Sequence, residues 1–137
     1  MIKTLDRFLK SRCFFWLRIS QFILALCIFT GAALLPGNKL PEISSDQTLH
    51  FFGNALLFLS ASVAFMGRTK LGLLVLLLVP YSLLIEMGQS LSPGRQVDIH
   101  DVWANMGGLA AGYLLAHLCE WIWRKIKHRS AKINPAE

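Results

Sequence analysis

Three short patterns carry the side chains best suited to acid–base or ligand chemistry. Asp46, His50 and Asn54 recur at i, i+4, i+8; Glu86 and Gln89 at i, i+3; Asp98, Asp101 and Asn105 at i, i+3, i+7, with Arg95 and His100 beside them. On helices these spacings put each set on one face. His50 is the candidate general acid or base, imidazole being the side chain that moves protons near neutrality, and Asp46 or Glu86 would orient it. Arg95 could hold a phosphate or carboxylate through two parallel hydrogen bonds, while Asp46, Asp98 or Glu86 could bond a hydroxyl or amine. The ligand-binding candidates are therefore Asp46, His50, Glu86, Gln89, Arg95, Asp98, Asp101 and Asn105. No nucleophile stands out, because Ser44, Ser45, Ser90 and Ser92 are loop serines without an elbow motif. His50 with Asp46, Glu86, Asp98 or Asp101 would offer a mixed nitrogen and oxygen set for zinc or manganese. Its spacing matches no recognised metal motif and Arg95 would oppose a cation, so no metal or cofactor is predicted.

These groups sit in unusual surroundings. The polar run QSLSPGRQVDIHDVWAN at 89–105 lies between apolar segments, in a chain of 137 residues that is 54% hydrophobic and 16% charged. The apolar residues fall in blocks at 13–35, 49–66, 71–88 and 102–123, each near the roughly 17–25 residues that a helix needs to span hydrocarbon. The reading is an all-α membrane protein, a four-transmembrane-helix bundle between a basic amino terminus (1–12) and a basic tail (124–137). The first block is longer than the roughly 7–15 apolar residues of a cleaved signal, so it is expected to stay as an anchor. Cys13, Cys27 and Cys119 form no disulfide or metal pattern and are expected to be small packing residues.

Charge sets the orientation. Lys3, Arg7, Lys10 and Arg12, then Arg68 and Lys70, then Arg124, Lys125, Lys127, Arg129 and Lys132 fall on one side of such a topology. The positive-inside rule makes both termini cytoplasmic and turns the 89–105 loop outward. The net charge of +6 is thus a topology signal with some attraction to anionic lipid heads; no nucleic-acid motif is present. Phe14, Phe15, Trp16, Trp103, Trp121 and Trp123 fit interfacial belts. Arg18 is expected to snorkel to the cytoplasmic surface, with His117, Glu120 and His128 as interface residues and Glu120 paired to Arg124.

Packing is partly legible. Ala104, Gly108, Gly112 and Ala116 recur every fourth residue, and Gly53, Ser60, Ala61 and Ala64 offer small side chains on the second block. Such faces let backbones approach in lipid; intramolecular packing is the expected use, and a homo-oligomer stays open. Pro80 should kink the third helix. Asp101 is expected to cap a helix starting at Val102, Arg95 to pair with Asp98 or Asp101, and Asn54 and Asn105 to bond between helices. The three polar patterns would then converge in one outward-facing pocket.

The motifs Asp46-x-x-x-His50-Phe51, Ile85-Glu86-x-x-Gln89, Pro93-Gly94-Arg95, Asp98-x-x-Asp101 and Ala104-Asn105-x-x-Gly108-x-x-x-Gly112 together resemble the VanZ-like family of small bacterial membrane proteins. The family is named for a member associated with teicoplanin resistance. The resemblance covers roughly 45–116, with Gln47 where the family usually has Lys and Asn54 where it commonly has Tyr. It implies a multi-pass protein of the bacterial cytoplasmic (inner) membrane, in contact with membrane lipids. The function read from these residues is binding, with chemical modification as an open option, of an amphipathic envelope ligand: a lipid head group, a lipid-linked precursor or a lipid-tailed glycopeptide. A structural or partner-binding protein is the alternative, followed by a transporter or lipid scramblase, and whether the chain is an enzyme is left open.

Overall fold

The computed structural model describes residues 11–35, 46–91 and 98–133. They form four helices and, among the described residues, no strand: α1 (Arg12–Ala33), α2 (Asp46–Ala64), α3 (Leu71–Gln89) and α4 (Ile99–Ile133). Ser11 starts α1, its hydroxyl accepting the Phe14 N–H at 3.2 Å and satisfying one of the amides a helix start leaves open. A short turn joins α2 to α3, with Gly67 at φ 74°, a left-handed conformation that glycine adopts without strain. Helix α3 runs unbroken through Pro80. Helix α4 begins three residues before the expected Val102 and continues through the basic residues from Arg124 to Arg129.

The central element is α2, which packs most extensively on α4, then on α1, and also touches α3. Its seam with α4 is made by glycine. A side chain at Gly108 would overlap the Phe51 carbonyl, and a Cβ at Gly112 would lie 2.7 Å from Phe58 Cβ and 2.8 Å from the Ala55 carbonyl oxygen. The Gly-x-x-x-Gly face is thus consumed within the chain. Leu57, Phe58, Ala61, Leu71, Leu74, Leu78, Leu109 and Ala116 form the apolar core beside it.

Polarity runs opposite to that of a water-soluble bundle. Glu86, Gln89, Asn54, Asn105 and Ser82 are among the largest fully buried side chains, whereas Leu24, Ile28, Leu56, Leu76, Leu84 and Leu114 lie outward. An apolar exterior this extensive calls for an apolar environment. Two helices, α1 and α3, are long and apolar enough to cross a membrane. The polar residues that α2 and α4 turn inward lower their hydropathy. Cys13, Cys27 and Cys119 are exposed, which corrects their expected place among packing residues: a small apolar side chain suits an apolar exterior as well as a packed interior.

Arg18 also departs from expectation. It is buried, its Nη1 donating to the Val63 and Met66 carbonyls at 3.3 and 3.4 Å. The end of α2 leaves carbonyls without helical partners and a partial negative charge, both of which a guanidinium satisfies. That local demand holds Arg18 against α2.

Candidate functional site

The amino-terminal end of α2, the carboxy-terminal end of α3 and the start of α4 meet around one polar cluster. Its floor ties three helices together. The Asn54 Nδ2 group donates to the His50 carbonyl at 2.9 Å and to Asn105 Oδ1 at 2.6 Å, and Asn54 Oδ1 accepts from Ser82 at 3.0 Å. Asn105 Nδ2 donates to Glu86 Oε2 at 3.4 Å, and the Asp98 N–H reaches Glu86 Oε1 at 3.5 Å. Buried polar groups in apolar surroundings require such partners.

The network also fixes the state of His50, which is only 4% exposed. A carbonyl only accepts, so the Asn54 group facing the His50 carbonyl must be its NH₂, and the Asn105 atom receiving that NH₂ must be oxygen. His50 Nδ1 lies 3.0 Å from that oxygen and must donate to it. The atom left to exchange a proton or accept a ligand is Nε2. It lies 3.7 Å from Asp46 Oδ1 and 3.9 Å from Asp101 Oδ2, with no hydrogen-bond partner among the described residues.

Helix α4 starts differently from expectation. Asp98, not Asp101, caps it, Oδ1 accepting the His100 N–H at 2.9 Å and the His100 ring at 2.8 Å. The His100 amide, followed by its ring, holds the Asp98 carboxyl below the usual range. Asp101 lies in the first turn, buried, and faces His50. A helix beginning at Ile99 places Asp98 at the cap and rotates Asp101 onto the inner face.

Among the predicted residues, Asp46, His50, Glu86, Asp101 and Asn105 are brought into this cluster. Asp98 is at its edge. Gln89 is buried nearby, but its Nε2 donates to the Ala33 carbonyl at 2.8 Å, tying α3 to the end of α1. Arg95 lies outside the described residues. Ser82 escaped the sequence reading, although it stands one turn before Glu86 and so shares its face.

A groove of about 590 Å³ opens between α1 and α2 and ends at this cluster, within the roughly 300–1,000 Å³ of ligand pockets. Its walls are Ala25, Ile28, Phe29, Ala32, Leu49, Phe52, Gly53 and Leu56; its polar end is Asp46, Thr48, His50 and Gln89. The Phe29 ring lies over Gly53, close enough that a Cβ there would be 2.6 Å from it. The ring packs directly on the α2 backbone at Gly53, and the groove lies beside it. Further along, Gln21 and Ser60 bridge the same helices, the Ser60 hydroxyl donating to Gln21 Oε1 at 2.8 Å and Gln21 Nε2 donating to the Ser60 carbonyl at 2.9 Å.

No curated protein and no solved structure matches the chain. Two of the helices are long and apolar enough to cross a membrane, and the VanZ/LLP1 family model matches residues 8–120: the chain belongs to the VanZ/LLP1 family.

Proposed function

We propose that this protein binds an amphipathic envelope ligand, its apolar tail in the groove between α1 and α2 and its polar head at Asp46, His50 and Gln89. The carrying observation is the continuity of one groove from apolar walls to a buried polar cluster. Its walls suit an acyl chain, and the Asp46 carboxylate favours a head group that donates hydrogen bonds, such as a hydroxyl, amide or amine. Lipid head groups, lipid-linked precursors and lipid-tailed glycopeptides share this chemistry, which gives antibiotic tolerance a physical route through sequestration of the tail. The Ser82 hydroxyl in the cluster donates to Asn54 Oδ1, and the reading proposed is one of binding.

The same reading takes all four helices as membrane spans, with both termini in the cytoplasm and the Asp46–His50 end facing outward across the bacterial inner membrane. The basic residues at Arg68, Lys70, Arg124 and Lys125 support it. An impermeant thiol reagent should label a cysteine introduced at Ser92 in intact cells; labelling only after permeabilisation would reverse the orientation.

The binding test uses protein in nanodiscs and two fluorescent probes, a phospholipid and a glycopeptide, each with and without its acyl tail. Tailed probes should bind and tail-less ones should not. Ala32→Trp, which fills the groove from an exposed position, should weaken tailed-probe binding at least roughly tenfold, about 1.4 kcal/mol. Equal binding by Ala32→Trp and the natural chain would refute the groove as the tail site.

A further inference from the structure

Beyond ligand binding, we infer that Asp46 Oδ1, His50 Nε2 and Asp101 Oδ2 hold a divalent transition-metal ion of the zinc or manganese type. The three side chains come from two helices, and their donor atoms lie within 4.8 Å of one another. A group of carboxylates alone would not point to an ion. The decisive atom is Nε2: it belongs to an imidazole only 4% exposed, it has no hydrogen-bond partner among the described residues, and it faces the gap between the two carboxylates.

The hydrogen-bond chain behind it supplies the second argument. Because Asn54 donates to the His50 carbonyl and to Asn105 Oδ1, Asn105 presents oxygen to Nδ1 and pins the Nδ1–H tautomer. Nε2 then has as its near neighbours two carboxylate oxygens, which are themselves acceptors. An imidazolium bound to either carboxylate would close to hydrogen-bond distance, about 2.7–2.9 Å; here Nε2 stands 3.7 and 3.9 Å from them, straddling the pair. An ion with bonds of about 2.0–2.2 Å sets neighbouring ligands roughly 3.3–3.6 Å apart, a closure of about 0.1–0.6 Å between Nε2 and either carboxylate and of at most about 1.5 Å between the carboxylates. A ligating histidine whose other nitrogen donates to a fixed oxygen is the usual outer arrangement of a metal site. One imidazole and two carboxylates suit zinc or manganese better than magnesium or calcium, which favour oxygen ligands alone. Three protein ligands would leave coordination positions open.

The test uses the full chain in detergent, depleted with a chelator, and titrated separately with Mn²⁺ and Zn²⁺. One ion per chain should bind, and the Mn²⁺ form should show imidazole nitrogen coupling by pulsed electron paramagnetic resonance. His50→Gln should remove that coupling. Asp46→Asn, at a side chain 39% exposed, should leave the metal-free thermal midpoint in place and weaken binding at least roughly tenfold, since loss of even an outer partner typically costs that much. Ala32→Trp should retain the ion while losing the tailed probe, which separates this site from the ligand reading. Absence of uptake, absence of nitrogen coupling, or uptake unchanged by both Asp46→Asn and His50→Gln would overturn the proposal.

Discussion

The two faces of α2 are built on opposite principles. Toward α4, Gly108 and Gly112 bring backbone against backbone at the Phe51 carbonyl and Ala55, and nothing fits between. Toward α1, the Phe29 ring stands between the helices and a groove of about 590 Å³ remains. In lipid the hydrophobic effect does not drive helices together, so contact distance and polar bonds decide how tightly a seam closes. The glycine seam closes beside the polar cluster, and the phenylalanine seam leaves the groove that the proposed ligand would enter.

The sharpest way to break this contrast is to place the same kind of bulk in each seam. Gly112→Leu should abolish the folded monomer in size-exclusion chromatography, because its side chain meets backbone that cannot yield; overpacking of this kind exceeds the usual 1–3 kcal/mol or so. Ala32→Trp should shift stability by less than about 0.5 kcal/mol, as expected of an exposed position. If both behave alike in thermal unfolding, the two seams do not differ as described.

Next in size is the cluster floor. Asn54→Leu should cost about 1–3 kcal/mol by leaving the Asn105 and Ser82 groups without their partner. Paired with Asn105→Leu, the loss should be smaller than the sum of the single losses. Across the looser seam, Gln21→Leu should cost about 1 kcal/mol, and Gln21→Leu with Ser60→Ala should be nearly neutral, since both partners of the reciprocal bond are then gone.

The smallest effects belong to the helix ends. The Asp98 carboxyl is held below its ordinary range by the His100 amide and ring, so its contribution is complete above the unfolded carboxylate range and is lost as pH falls through the lowered value. Asp98→Asn should flatten that acid-side dependence of the thermal midpoint. The pair of Glu120 with Arg124 is 2.6 Å long but exposed, and Glu120→Gln should change stability by less than about 0.5 kcal/mol.

Much of the molecule could be read without coordinates. The four apolar blocks lie within the four helices or within a few residues of their ends, and the i, i+4 and i, i+7 spacings mark which polar residues share a face. Ser82 was within reach, one turn from Glu86 on a helix otherwise apolar. Arg18 was not: its acceptors are carbonyls at the end of another helix, and a backbone acceptor leaves no trace in sequence. The choice between Asp98 and Asp101 as cap was equally hidden, because both precede helix-compatible residues and only the packing of α4 on α2 decides where the first turn begins.

The sequence by itself determined the family, the helices and the polar faces, because periodicity and composition are properties of each segment alone. The tertiary structure decided which seam closes and which stays open, which aspartate turns inward, and which nitrogen of His50 is left to act. Those outcomes depend on helix separation and register, set where glycine meets backbone on one side of α2 and an aromatic ring intervenes on the other.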